Sequence, residues 1–541
     1  MPYPEENGLQ GRKERRRGMK GARITATVDI AASRDVDRID RDDVSDVQSA
    51  VDHARKIQPE WASLPVKDRV RYLKKIRNYL VDHAGGLAEI IARDNGKTRV
   101  DAMSTEVLPA VMALDYYCRK AGSFLKDQRL FPGSILLANK SSRIRRVPYG
   151  VVGIISPWNY PFSIPFSEVV MALLAGNAVV LKVASETRMV ASALTRCIAA
   201  ARLPRGVFTQ LNLPGRVIGP ALLEAGVDKL FFTGSTAVGK SLMARAAERL
   251  TPVNLELGGN DPMLVCPDAD LYRAAAGAVW AGFQNCGQSC GGVERIYVHR
   301  DVYEPFLELL ARRVRRLRIG YDLDFQVDLG AITTIRQFEE VRRQVEQAVG
   351  AGARIYAQSE CERAGKGLFM PARVLTDVDH GMDIMRLETF GPVVAVMPVD
   401  DMDQAVDLAN DGDLGLTASV WTRRNRTGLS LAGRIQAGVV MVNDHLMSHG
   451  LAETPWGGFK ASGIGRSHGA IGMAEMTQTQ CVVTDLLPGV SKNLWWHPHS
   501  AEIYFGLRGI IDFQYGRRPL KRLKGAIGML KIFPRMFSRK E

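Results

Sequence analysis

The chain has 541 residues, of which 46% are hydrophobic and 24% charged. That excludes a disordered chain and allows more than one core, since a domain takes roughly 150 residues. A formal charge of +14 suggests a nucleic-acid or membrane-surface partner, but the ends carry most of it: residues 1–22 hold six Lys/Arg against three Glu, and residues 486–541 hold eleven Lys/Arg against three Asp/Glu. The long middle is close to neutral. Seven scattered cysteines (Cys118, Cys197, Cys266, Cys286, Cys290, Cys361, Cys481) form no CxxC pair and no zinc spacing. They argue against a disulfide framework or a metal site and for a reducing, cytosolic compartment. Met1–Ala22 is Arg-rich and lacks the apolar stretch of a secretory signal.

Helical periodicity covers Val44–Trp61, Val70–Gly96 and Val100–Leu125. The uncharged run Val147–Ser167 contains Pro148, Pro157, Pro161 and Pro165, so it reads as strand plus loop instead of a membrane helix. Strands are predicted at Val151–Ile155, Ala178–Leu181, Phe208–Leu211 and Lys229–Phe232, alternating with helices that include Phe166–Ala175, Met189–Ala201 and Gly239–Leu250. Apolar strands alternating with helices predict a parallel, doubly wound sheet. A second alternation, from about Ala274 to about Val442, predicts a second α/β domain.

In Leu520–Phe537, Leu520, Leu523, Ile527 and Leu530 recur at helical spacing, with Lys521, Lys524, Lys531 and Arg535 lining the other side. Trp495, Trp496, Tyr504 and Phe505 upstream are residue types suited to a membrane interface. This basic amphipathic helix either lies at an anionic membrane surface or packs on the protein's own body or a neighbouring subunit. No recognition motif accompanies the charge, which argues against nucleic acid.

Gly234-Ser-Thr-Ala-Val-Gly239-Lys240-Ser241 matches the Walker A pattern, with a strand before it and a helix after it. A P-loop phosphohydrolase is therefore one reading, although Asp268 is a weak candidate for its acidic Mg²⁺ partner. A structural strand-to-helix turn is another, and a catalytically silent membrane-associated binding protein is the non-enzyme alternative.

Other segments occur in a telling order: Pro157-Trp158-Asn159-Tyr160-Pro161, Leu255-Glu256-Leu257-Gly258-Gly259, Gly287-Gln288-Ser289-Cys290, Glu388-Thr389-Phe390-Gly391-Pro392 and Pro455-Trp456-Gly457-Gly458-Phe459-Lys460. With the Gly234 turn, and with Glu256 thirty-four residues before Cys290, the chain resembles the aldehyde dehydrogenase superfamily from about Val44 to Thr484. The resemblance implies an α/β fold of two doubly wound parallel-sheet domains plus a small bridging and oligomerisation β element. The expected boundaries are a basic N-terminus over 1–22, a helical opening and dinucleotide-binding domain over 23–257 with bridging strands near 136–150, and a catalytic domain over 258–456. The chain then returns to the cofactor domain over 457–485, with Val482–Thr484 as an intersubunit strand, and ends in a basic extension over 486–541. A homodimer or homotetramer is implied, in the cytoplasm or at the inner membrane face.

An aldehyde has no electron pair to expel a hydride, whereas the oxyanion of a thiohemiacetal has one. Cys290 is the candidate nucleophile; an arbitrary cysteine is more often inert and buried, but the flanking glycines and the family match favour catalysis. Cys286 reads as packing. Asn159 and the Cys290 N–H are implied as oxyanion donors, though Asn also suits a turn between prolines. Glu256 is implied as the base that activates water against the thioester, if it does not merely face solvent. For NAD or NADP the resemblance implies Ile155, Trp158, Lys182, Ser185, Gly234, Ser235, Gly239, Glu388 and Phe390.

Three departures carry information. Where many NAD-specific members have a Glu three residues after Lys182, this chain has Ser185, which would not repel a 2′-phosphate; the adjacent Glu186 leaves the register open. Where succinate-semialdehyde members carry an Arg, this chain has Ser167, while Tyr160 and Trp456 suggest an aromatic funnel for an apolar or long-chain aldehyde. Ser467 stands where several members have a second Glu, leaving Glu256 as the base.

Overall fold

The computed structural model describes residues 24–29, 34–40, 42–361 and 367–538; the predicted basic N-terminus lies outside them. Ile24–Asp29 and Arg34–Asp40 pair antiparallel. The first helix, Val44–Ser63, starts at Asp43, whose carboxylate accepts from the Ser45 and Asp46 amides while Asp46 bonds back to the Asp43 N–H. That capping box supplies partners for amides that a helix start leaves open.

The predicted helix over Val70–Gly96 is two, Val66–Asp82 and Ala84–Asn95, broken at His83 with non-helical φ/ψ of −118°/13°. The predicted Val100–Leu125 helix is interrupted by a π-helical turn at Met103–Val107, ahead of Leu108–Phe124. Such turns concentrate at functional sites, and this one buries Glu106.

The first sheet runs in the order Gly463–Ile464, Val253–Glu256, Lys229–Thr233, Val151–Ile155, Ala178–Lys182, Phe208–Gln210, parallel except for the short Gly463 strand. Every residue of Val151–Ile155, Ala178–Lys182 and Lys229–Thr233 is buried, as expected of strands covered on both faces. The second sheet has seven strands in the order Arg354–Gln358, Arg373–Thr376, Val393–Val399, Val293–His299, Asp261–Val265, Thr417–Trp421, Val439–Val442, with only the first pair antiparallel. This alternation begins at Asp261, earlier than the periodicity near Ala274 suggested.

The chain forms two compact units. One comprises residues 1–125 and 147–478 and contains both large sheets; the other comprises 126–146 and 479–541. The second is organised by a three-stranded sheet, Thr477–Asp485 beside Lys140–Pro148 beside Gln128–Leu130, and by helices Ala501–Tyr515 and Pro519–Ile532. The predicted Leu520–Phe537 helix thus ends at Ile532 and tightens into a 3₁₀ turn over Phe533–Phe537. No helix of the described residues is long and apolar enough to cross a membrane.

Candidate active site

Cys290 lies in the loop between the 3₁₀ turn Gln284–Gly287 and strand Val293–His299. Three successive residues before it are left-handed: Asn285 at φ 53°, Cys286 at φ 57° and Gly287 at φ 72°. Held strain of this kind, about 1–3 kcal/mol per non-glycine residue, persists where surrounding contacts over-determine it. Here the Asn285 N–H donates to Asp101 (3.3 Å), and the Asn285 side-chain amide donates to the carbonyls of Asn159 (3.0 Å) and Gln288 (3.1 Å). Gly287 lies so close to Gly391 that a Cβ would sit 2.0 Å from its carbonyl oxygen. All seven cysteines are free, and Cys286 is buried in an apolar core as expected. Burial, and then the nearby carboxyls of Glu388, Asp261 and Glu256, push the Cys290 thiol up, favouring the protonated form.

The Asn159 side chain reaches this loop, its amide donating to the Gln288 carbonyl at 3.2 Å. Its backbone oxygen accepts from Lys97 Nζ at 2.8 Å. Lys97 in turn forms a fully buried ion pair with Glu106 at 2.6 Å, and the other Glu106 oxygen accepts from the N–H groups of Phe162 and Ser163. The π-turn glutamate therefore organises both Asn159 and the start of helix Ser163–Ala175. Glu106→Gln should lower unfolding free energy by about 3–5 kcal/mol, because it leaves Lys97 buried without its counter-charge. Denaturant unfolding measures this, and adding Lys97→Met should recover part of the loss.

Glu256 is buried at the end of its strand, one oxygen accepting from the Ser467 hydroxyl at 3.0 Å and the other without a partner. Burial, and repulsion between it and the nearby Glu168 carboxyl, hold its carboxyl well above the usual range, while Ser467 and Arg466 pull it back. The serine that replaces the expected second glutamate is thus hydrogen-bonded to the first. Glu168, on helix Ser163–Ala175, is buried with one oxygen unpartnered, and burial raises its carboxyl from 4.5 to about 8. Folded Glu168 keeps its proton where the unfolded chain has lost it, so its contribution to stability falls as pH rises from 4.5 to about 8. One retained proton gives a slope of about 1.4 kcal/mol per pH unit. Glu168→Gln should flatten the stability loss across that window, as read from urea unfolding at several pH values; an unchanged slope would clear Glu168 as its source.

Gly258 and Gly259 explain how the two sheets meet at one point. A Cβ on Gly258 would sit 2.5 Å from a Glu388 oxygen, and one on Gly259 would sit 2.2 Å from the Cys290 carbonyl. The Gly259 N–H donates to Glu388 at 3.1 Å, and burial raises that carboxyl to about 7. Phe390, at φ 54°, is held by its N–H donating to buried Glu294 at 2.7 Å, and its ring meets Trp158 edge-on at 5.5 Å. Across the first sheet Ile155 pairs with Lys182. Desolvation holds the buried Lys182 ammonium below its ordinary pKa, with Glu186 opposing. Among the described residues this ammonium has no ion pair, so hydroxyl or phosphate oxygens suit it.

Ser185 is part-buried, its hydroxyl donating to the Leu213 carbonyl at 3.4 Å, whereas Glu186 is exposed. Ser235 precedes helix Thr236–Ala247 without a side-chain cap, leaving the helix's first amides open to an anion. These features fit a dinucleotide. They do not fit a P-loop: the helix starts at Thr236, so Lys240 lies inside it and exposed, and no loop between Gly234 and Gly239 wraps a phosphate. Gly239 instead gives room to Leu257, which a Cβ would meet at 2.5 Å.

A pocket ends on Cys290. Tyr160 and Trp456 line it, with Leu108, Met112, Trp280 and Met447. Tyr160 is pinned by its hydroxyl donating to Gln284 at 2.6 Å. His449, in contact with Trp456 and His468, also faces the pocket, and burial lowers its pKa to about 4, so it is neutral. Ser167 is buried on its helix but does not reach the pocket wall; Ile164, nearly one turn earlier, does. Among the described residues no Lys or Arg lines the pocket.

A family model described as "Aldehyde dehydrogenase family" matches residues 19–482. A 4,4'-diapolycopene aldehyde oxidase of Methylomonas sp is 38% identical over 470 residues, 87% of each chain. The NAD+ complex of an aldehyde dehydrogenase from Bacillus cereus is similar with a TM-score of 0.81 at 31% identity, covering 86% of this chain and 94% of that one. An NADP dependent enzyme of E. coli gives 0.82 at 29% identity, covering 86% and 95%.

Two such sheets converging on the Cys290 loop, in a chain with these similarities, define an NAD(P)-dependent oxidoreductase. The chain belongs to the aldehyde dehydrogenase family, and it oxidises an aldehyde to the carboxylic acid with NAD(P)+ as electron acceptor.

Proposed function

We propose that Cys290, Asn159 and Glu256 carry out this oxidation on apolar, long-chain aldehydes. The Cys290 thiolate, its proton lost to solvent, attacks the carbonyl carbon to give a thiohemiacetal. The Asn159 amide and the Cys290 N–H hold the resulting oxyanion; one such donor is worth about 3–4 kcal/mol. NAD(P)+, when bound, supplies the hydride acceptor. Glu256 takes a proton from the water that attacks the thioester and returns it to the departing Cys290 sulfur, releasing the acid and restoring the thiol. Ile155, Trp158, Lys182, Ser185, the Gly234-Ser235 turn with Gly239, Glu388 and Phe390 hold the dinucleotide, and the hydroxyl at Ser185 admits NADP.

The observation that carries this reading is the Asn159 side chain reaching the Cys290 loop at the end of the pocket. An apolar substrate follows from a wall without a cation to meet a carboxylate, and each buried methylene adds about 0.8 kcal/mol. An aldehyde panel with each cofactor, read as reduced nicotinamide, tests it. Long-chain aldehydes should exceed succinic semialdehyde in kcat/KM by about 100-fold or more; preference for the semialdehyde would overturn the substrate reading.

The enzyme assembles as a homodimer or homotetramer through Thr477–Asp485, an exposed edge strand with unpaired backbone groups. It works in the cytoplasm, at the inner membrane face, where the basic extension over 486–541 meets anionic lipid.

A further inference from the structure

Helices Ala501–Tyr515 and Pro519–Ile532 pack as a hairpin whose seam is built from glycine. A Cβ on Gly506 would sit 2.4 Å from Ile532, and one on Gly525 would sit 2.5 Å from the Gly509 carbonyl oxygen. The backbones therefore approach too closely for any larger residue. Asp512 ties the pair together through Lys521 at 3.1 Å, and also meets Arg508 of its own helix at 3.5 Å. Ile503, Ile510 and Ile532 are buried, but six other large apolar residues point outward. Leu520, Leu523, Ile527 and Leu530 are 51–64% exposed, and Tyr504 and Phe505 on the other helix are each 66% exposed.

Leaving those six in water forfeits much of the gain that burying large apolar side chains gives a helix pair. A small-residue seam with outward apolar side chains is the packing used where lipid surrounds the helices. The charge agrees. Beside the apolar stripe, Lys521, Lys524 and Lys531 are exposed, and the only acidic residues of the two helices are Glu502 and the already paired Asp512. At fifteen and fourteen residues the helices fall short of the ~20 needed to span a bilayer.

The geometry points to one leaflet of an anionic bilayer as the surface covering this hairpin, which enters the interface as a preassembled apolar wedge. This rests on the membrane reading above and makes insertion, beyond charge attraction alone, its basis. An apolar aldehyde dissolved in the same leaflet would then be concentrated where the enzyme is held.

The test is flotation of the full chain with phosphatidylcholine vesicles, with and without phosphatidylglycerol, at low and high salt. Turnover of a water-soluble aldehyde is followed alongside to report a folded body. The wild type should float with anionic vesicles and stay bound at high salt. Leu523→Gln with Ile527→Gln should weaken vesicle binding at least about 100-fold with turnover unchanged, whereas Lys524→Gln with Lys531→Gln should lose the preference for phosphatidylglycerol. If salt releases the wild type and the Leu523/Ile527 variant binds equally well, insertion is refuted while charge-driven attachment stands. If the wild type binds no vesicle, both membrane readings fail. A smaller oligomer on sedimentation of that variant, with no vesicle binding by the wild type, would assign the face to a second copy of the chain instead.

Discussion

Cys290→Ala is expected to abolish aldehyde-dependent reduction of NAD(P)+, lowering kcat by about 10⁴-fold or more, with the circular dichroism spectrum unchanged. Every later step passes through the bond this sulfur makes, so nothing else in the pocket substitutes for it. The loop should keep its shape, because the strained turn is held by Asn285, Gln288 and Asp101 and not by the thiol. Cys286→Ala is the matching control. Its side chain is buried in the core and its φ of 57° strains alanine no more than cysteine, so turnover should survive.

Glu256→Gln has the second largest expected effect, and a different signature. Glutamine can still meet the Ser467 hydroxyl but cannot take a proton from water. Hydride transfer should occur once per subunit, giving a burst of reduced nicotinamide, and steady-state turnover should then fall by about 10²–10⁴-fold. A variant that loses the burst as well would show that Glu256 is required earlier, when the Cys290 thiol is ionised. That outcome has a physical basis, since burial and three neighbouring carboxyls all disfavour the thiolate.

The parts of this site that the sequence reveals are those whose chemistry is local. The Cys290 loop, the Glu256 strand end and the Asn159 turn each carry the pattern for their proposed role in a few adjacent residues. Groups that act across space leave no such mark. Lys97 and Glu106 sit in different elements, and only the π-turn brings the carboxylate under the Asn159 loop. Glu294 sits beside Arg295 in a buried strand with nothing local to mark its role, yet it holds Thr389 and Phe390 in place.

A signal existed for some of these groups. Glu106 falls on the same helical face as buried Ala110, Ala113 and Tyr117, and Glu168 is the lone acid of helix Ser163–Ala175. A charge on a buried stripe is informative because it needs a partner or a shifted pKa. Ser167 fails for a different reason. Its helix runs along the pocket, but which side chains face the opening depends on the helix's rotation, and periodicity in a helix buried all round does not fix that. The Walker-like string misleads because its pattern does not record where the helix begins.

The most direct test of the account is to quench Glu256→Gln with acid during the burst, using a long-chain aldehyde and NAD(P)+, and to fragment the peptide spanning residues 284–299 by mass spectrometry. The account predicts an acyl mass increment on Cys290 at close to one per subunit. No increment, or one mapped to Cys286, would contradict it.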